Sequence, residues 1–592
     1  MIAIITDKSS IAKGIAISLN MDVKTEDDGY FQGRSFTIVW TSGELISFLP
    51  PEDYGKKQFA GGDLPFIPKQ FLLSVRKQGT AKGFTDKMAT KQLGIIKKVF
   101  DECQSIIVAT DAGEAGELNF RRIYHYLQCN KPFKRLWINS LTAKDIKEGL
   151  KNPSEGSLYD NLYAAADCRA KADYLIETNA GRAFSISTGM VNHPLGRIQM
   201  PTLAMICKRF SEHRKFTSTR FFEHGITLEK DGLFQQFKLS GTMDNKKKAE
   251  KIYKHLKTFG EAQITKVETK TGIQPAPLLY NLIELQKDAN IHYGFSAAKT
   301  MEIAWKLYEE KLISYPLTDS CHITEDVFAS IPQIIRQVAL YCKLADDLFA
   351  MVWNNLNDRS VDDILSTGHH ALIPTGVYQQ YLPKDERLIY HLIAGRTLEA
   401  FAPDCQKETI QIEAVCGSCM LESKISRTVS PGWRLILGRE EDREDGEVGE
   451  NNILPVFVEG ETARISGCNL LTRKTLPAPL YTEASLLSAM KDASLGTVET
   501  RAGIIETLFF SDYIERRGQN LIPAEKGTVV HNCIKNMCIA DVKTAGSWEK
   551  ILTDIGRGEQ NADAFMTMIK IFTKQVAKEI IGIQKPAPGK KQ

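Results

Sequence analysis

Residues 216–240 and 261–271, with runs such as FFEHGITLEK and AQITKVETK, alternate apolar and polar side chains with the period of two expected of half-buried strands. The pattern returns only at residues 407–470, beyond a helical block that includes residues 280–313. The economical arrangement is one β-rich unit interrupted by an insertion of roughly residues 276–399. Proline-containing junctions, QPAPLL near 276 and LPAPLY near 478, mark boundaries there. A chain of 592 residues has room for three or four domains at about 150 residues each. No period of 20–50 residues recurs, so the chain is no solenoid.

Residues 1–150 behave differently. IAII leads into a helix from Ser10. FTIVW follows, then SIIVAT and a helix from about Ala115 with Phe120, Tyr124 and Leu127 on one face. RLWI at 135–138 reads as a strand and TAKDIKEGL as a helix. Such alternation implies a largely parallel sheet, whose sites lie at the carboxyl ends of its strands. Asp7, Lys8 and Asp111 each follow an apolar strand, so they can converge on one edge. The turn after Val108 carries Asp111, Gly113, Glu114, Gly116 and Glu117. It fits a metal site, helix-start acids complementing a dipole, or a metal site short of ligands. Residues 154–215 read as helical, with an alanine-rich stretch from Ala164 to Ala183 broken at Gly181, and residues 480–585 as mostly helical.

Composition, 43% hydrophobic and 25% charged, is that of a globular protein, and no run is apolar enough to span a bilayer. The N-terminus has only four apolar residues before Asp7 and Lys8, so it reads as a buried strand rather than a signal peptide, and a cytoplasmic location is expected. Net charge is only +3, so any nucleic-acid site must be local. The acidic run Glu440–Asp445 reads as a solvated loop, and basic residues gather at Lys246–Lys248 and in the tail PGKKQ. Of twelve cysteines only Cys416 and Cys419 form a CxxC, without a second pair at zinc spacing. They read as strand residues around a Gly-Ser turn, and no zinc is expected. No GxxxxGK[ST] loop is present, so no nucleotide is expected.

In the central block, Ser296 is a candidate N-cap, and Met301, Trp305 and Tyr308 form an apolar helix face. The chain then reaches Tyr315, which precedes Pro316 and is biased toward an extended conformation. Alone, such a residue is a nucleophile or a core tyrosine at a helix exit. Its neighbours Tyr315-Pro316-Leu317-Thr318-Asp319-Ser320 resemble the active-site motif of type IA DNA topoisomerases, Tyr-Pro-Arg-Thr-Asp-Ser. Seven further stretches resemble that family in order: ITDKSSIAKGIA, SGELISFLPPEDYG, VATDAGEAGELNFR, PLGRIQMPTLAMI, TGHHALIPTG, the stretch containing LGTVETRAG, and TAGSWEKILTDIGRGEQNADAFM. The nearest branch is the bacterial topoisomerase III-like one.

The resemblance implies an α/β plus α and β architecture. A Toprim domain over 1–150 precedes a toroidal gate: a helical DNA-binding domain from 154–215 and 477–585, a β-rich split hinge domain from 216–275 and 400–476, and a helical domain, 276–399, carrying the tyrosine. It implies ATP-independent cleavage, passage and religation of single-stranded DNA through a 5′-phosphotyrosine, relaxing negative supercoils or decatenating DNA. Tyr315 is then the nucleophile, with Lys8 and Asp7 beside it. Arg197, Gln199, His369, Asp319 and Arg501 are DNA contacts, and Asp7, Asp111, Glu114 and Glu117 candidate Mg²⁺ ligands. The expected partner is single-stranded or underwound DNA, bound by a monomer, with no membrane and no identified protein partner.

The chain departs from the family pattern at its chemistry. On the Asp-x-Asp-x-Glu frame it has Asp111, Gly113 and Ala115, and Glu114 stands where arginine is expected. Asp7 replaces a glutamate, Met200 a threonine and Glu44 a histidine. Leu317 replaces an arginine, and losing one such donor costs ~3 kcal/mol of barrier, about a hundredfold in rate. A DNA-binding gate with weak or no cleavage is therefore the alternative reading. A Toprim nuclease or primase is disfavoured because it leaves the Tyr315 block without purpose.

Overall fold

The computed structural model describes all residues except 24–28, 56–62, 78–83, 192, 367, 378, 380, 439–446, 449–454 and 584–592. The acidic run at 440–445 and the basic tail lie outside the described residues. The first 155 residues build a six-stranded sheet in the order 30–32, 36–40, 2–6, 105–108, 133–135, 154–155. The four inner strands run parallel, and the two edge strands are antiparallel. Ile2–Thr6 and Ser105–Val108 are apolar on both faces because helices cover both sides. Ala3, Ile5, Val108 and Phe120 pack on one side, and Ile4, Ile15, Ile107 and Ile146 on the other. Of RLWI only Arg135 is in a strand, Phe133–Arg135; the residues that follow leave the sheet toward the site.

The second sheet joins strands from both sides of the central insertion. Its order is 233–239, 220–230, 462–474, 261–274, 405–416, 419–430, 447–448, and 233–239 also pairs with 419–430. Six strands therefore close on themselves around a core of Ile226, Leu228, Phe237, Ile264, Ile412 and Leu421. Cys416 pairs with Cys419 across the Gly417-Ser418 turn. Neither cysteine is in a disulfide. Lys246–Lys248 open the helix Lys246–Leu256, which Asn245 caps.

The remaining helices form two blocks. One centres on Asp160–Thr188, an unbroken 29-residue helix packed against Val542–Gly556 and Ala562–Ile581. Gly181 does not break it: a helical glycine costs only about 1 kcal/mol, and Leu175, Ile176, Ala180, Ala183 and Phe184 are buried on either side of it. The hairpin Ile514–Arg517 with Asn520–Pro523 interrupts the C-terminal helices. The other block holds the insertion. Its helix Ala297–Glu309 starts where the Ser296 hydroxyl accepts the Lys299 N–H, and its core includes Tyr280, Leu307, Ile313, Ile335 and Ile393. Among the described residues no helix is long and apolar enough to cross a membrane.

Candidate active site

The carboxyl ends of the parallel strands meet the insertion block at Tyr315. Asp7, directly after Ile2–Thr6, accepts the Asp111 N–H at 2.5 Å and the Asn119 side-chain N–H at 2.8 Å. Gly116 makes the turn possible, since a Cβ there would lie 2.1 Å from the Asp111 carbonyl oxygen. Arg135, 1% exposed, donates to the Thr110 hydroxyl at 2.7 Å, to the Thr110 carbonyl at 2.9 Å and to the Asp111 carbonyl. Burial raises the Asp7 carboxyl despite its two donors. Burial, with Asp7 adjacent, pushes Asp111 up to about 6.

Tyr315 is 2% exposed. Its N–H donates to the Asn139 carbonyl at 2.8 Å, and its ring packs on His369 at 4.1 Å between centroids. The hydroxyl is buried and faces the Asp111 carboxylate without a hydrogen bond of good geometry. Burial and the charges of Asp111 and Glu499 hold it well above the ordinary value of 10.0. His369 has ring nitrogens 2.6 Å from the Ala112 carbonyl and 2.6 Å from the Asn139 side-chain oxygen. Its ring stacks on Trp137, whose N–H donates to the Gly368 carbonyl at 3.0 Å. Burial outweighs the Ala112 bond and pushes His369 down to about 4; the neutral ring donates to the Ala112 carbonyl and accepts from the Asn139 amide, turned so that its nitrogen faces the ring.

Lys8 lies beside a cavity of about 340 Å³ that is also lined by Asp7, Glu44, Asp111, Ala115 and Trp305. Its ammonium contacts Glu309 at 2.5 Å and sits 5.1 Å from the Trp305 ring centre. The other Glu309 oxygen accepts from Ser10 at 2.9 Å.

The remaining candidates are dispersed. Glu114 pairs with Arg169 at 3.0 Å, Arg169 with Glu549, Glu549 with Arg197 at 2.5 Å, and Arg197 with Asp173 at 2.8 Å. Both arms of Arg197 are thus engaged, and the residue is buried. Glu117 points into the interior, 2.8 Å from Arg121 and 3.7 Å from Arg135, rather than toward Asp111. Arg501 donates to the carbonyls of Leu495 and Gly496, leaving one buried nitrogen without a partner. Asp319 is exposed within electrostatic reach of Arg501, and Gln199 begins the helix Gln199–Lys215. Met200 is core, Glu44 is exposed, and half-buried Leu317 packs on the apolar core of the tyrosine block. Among the described residues no three acidic, histidine or cysteine groups form a ready-made metal cage.

Sequence reasoning missed Arg135, Trp137, Asn139, Glu309, Arg169, Glu549 and Glu499. Only Arg135 left a local signal, a charge at the head of the apolar run Leu136-Trp137-Ile138. Burial, with Asp111 and Glu114 close by, pushes Glu499 up to about 8.

A family profile described as DNA topoisomerase matches residues 157–567. DNA topoisomerase 3 of Shouchella clausii (strain KSM-K16) is 33% identical across 98% of this chain and 81% of its own length. DNA topoisomerase 3 of Bacillus anthracis is 34% identical over the same shares, and that of Bacillus subtilis (strain 168) 33%. Among solved structures, full-length topoisomerase I from Thermotoga maritima superposes with a TM-score of 0.76, covering 98% of this chain and 90% of that one at 20% identity.

Proposed function

The chain belongs to the type IA DNA topoisomerases, on their topoisomerase III side, and from that premise we propose that Tyr315 is the nucleophile, set against Asp111 and Lys8. The family cleaves single-stranded DNA, passes a strand through the break and reseals it without ATP. The observation that carries the assignment is the Tyr315 hydroxyl, buried and facing Asp111 at the carboxyl ends of the parallel strands.

In the reaction the Tyr315 oxygen forms a bond to phosphorus, and the bond from phosphorus to the 3′ oxygen breaks. The DNA keeps a 5′-phosphotyrosine and a free 3′ hydroxyl. The tyrosine proton passes to a carboxylate, and Asp111 faces it, with Glu499 close by. The leaving oxygen takes up a proton, and the reverse attack reseals the strand. Lys8 places a cation where phosphate charge builds up. Burial and the neighbouring carboxylates favour the protonated phenol, so attack requires that its proton be taken up as the bond to phosphorus forms.

Type IA topoisomerases in general depend on Mg²⁺. The ion uses one or two carboxylates, with water and substrate phosphate completing its shell. Half-buried Asp7 and Asp111, the tyrosine hydroxyl facing the latter and the adjoining cavity fit that demand. Asp7 and Asp111 would hold it, while Glu114 and Glu117 are committed to arginines. Bound there, the ion would neutralise phosphate charge.

We assign residues 1–150 to a Toprim unit, 154–215 with 477–585 to a helical DNA-binding unit, 216–275 with 400–476 to the hinge, and 276–399 to the tyrosine-bearing unit. A monomer working on underwound DNA in the cytoplasm fits this reading. The test is denaturant trapping of a covalent adduct on 3′-labelled single-stranded DNA, since the fragment joined to the tyrosine keeps the 3′ end. Wild type should give an adduct that Tyr315→Phe abolishes while DNA binding persists. An adduct at another tyrosine defeats the assignment, and no adduct at all favours a binding gate without cleavage.

A further inference from the structure

The acidic turn has glycine at its second place, yet the backbone there does not ask for one. Gly113 has φ −161° and ψ −176°, extended values open to any residue. The demand comes from a neighbour. A Cβ built on Gly113 would stand 2.6 Å from Glu499 Oε1 and 3.6 Å from the Tyr315 hydroxyl. Glu499, from the turn before the helix Arg501–Phe510, fills the volume that a residue-113 side chain would take.

We propose that Glu499 is a divalent-cation ligand, supplying from the helical block the carboxylate that position 113 lacks, so that the ion is shared between Asp111 and Glu499 beside the Tyr315 hydroxyl. Two further observations point to a ligand there. The Tyr315 hydroxyl, on a residue 2% exposed, makes no hydrogen bond of good geometry and lies between Asp111 and this place. Arg169, the cation within electrostatic reach of Glu499, is engaged by Glu114 and Glu549. Two carboxylates on facing elements are what a small hard cation takes before phosphate oxygens and water complete its shell. The inference rests on Tyr315 and the acidic turn forming the cleavage site. It adds a ligand that reaches that site from the helical block rather than from the turn.

A side chain at 113 has to displace the end of Glu499, and that supplies the test. The full chain without DNA is titrated with Mn²⁺ alone, followed by the paramagnetic resonance of the free ion, and with Mg²⁺ alone by calorimetry. Glu499→Gln, which keeps the side-chain shape, and Glu499→Ala should each weaken binding by about tenfold or more. Gly113→Asp with Glu499→Ala should return affinity to within about threefold of wild type, which a merely structural Glu499 would not allow. Wild-type affinity in Glu499→Gln, no saturable binding by wild type, or a double variant as weak as Glu499→Ala would each overturn the inference. Adduct trapping keeps the two readings apart. A Tyr315 adduct together with unchanged cation binding in Glu499→Gln refutes the ligand and leaves the nucleophile. Glu499-dependent binding without any Tyr315 adduct does the reverse.

Discussion

Lys8 and Ser10 hold the two oxygens of Glu309 much as they would hold two oxygens of a phosphate. Entering DNA must displace that carboxylate. Glu309→Gln should therefore tighten binding of a short single-stranded oligonucleotide by a few-fold, about 1 kcal/mol for a pair this exposed, as read by fluorescence anisotropy. Unchanged or weaker binding would remove Glu309 as a competitor. Glu114 shows the opposite relation between residue and expectation. An arginine there would face Arg169 at the end of the ion chain through Glu549 to Arg197. Glu114→Arg should cost about 3 kcal/mol, seen as a lower unfolding midpoint, since it breaks a largely buried pair and sets two cations together. Asp7, Lys8 and Asp111 were legible because each follows an apolar strand, whereas Tyr315, Arg197, His369 and Arg501 were legible only through the family motifs around them. Glu309, Glu499 and Glu549 were not, because each acts through a partner hundreds of positions away, and pairing at that separation leaves no local pattern.

At the scale of elements, the loop at 368–376 is the clasp between sheet edge and tyrosine block. Trp137, Asn139 and Ala112 hold it from one side, and His369 answers from the other. His369 sits near 4 in the closed form against an ordinary 6.5 when released. Between those values the open form binds the extra proton, so the clasp weakens as pH falls from 6.5 toward 4, by roughly 3 kcal/mol at most. Asp111, held at about 6, acts with the opposite sign, because protonation relieves its burial. The informative quantity is then the difference between wild type and His369→Asn. Hydrogen exchange at the Tyr315 amide, corrected for intrinsic rate, should accelerate on acidification more in wild type than in the variant. Equal pH responses would show that His369 does not titrate in the clasp. The elements themselves were largely readable from periodicity. The Gly181 break was not real, because burial along both faces of a 29-residue helix outweighs one glycine. The hairpin at 514–523 hid among helical neighbours because its strands are only four residues long.

For the whole molecule, weak net charge and heavily paired arginines set the terms of DNA binding. Arg197 and Arg169 are each held by two carboxylates, so of the candidate site cations Lys8 and the spare nitrogen of Arg501 are the ones nearest to hand. Affinity for single-stranded DNA should fall with salt along a shallow slope, near −0.7 per phosphate neutralised with only about two to four phosphates involved. Blunt duplex should bind more weakly at the same salt, since the buried tyrosine can be approached only by a strand whose bases are free. Anisotropy titrations over a salt series check both statements, and equal affinities or a slope several times steeper would contradict them. The split barrel has a consequence during synthesis. Its strands through Gln274 leave the ribosome with their partners Cys405–Ser430 and Thr462–Lys474 still unmade. The last of these trails by 200 residues, from 274 to 474. At about 5–20 residues per second, that is roughly ten to forty seconds of exposed strand edge. The split barrel therefore depends on protection of that edge while the chain is made, and a chain released before residue 405 would carry it without the partner strands that cover it.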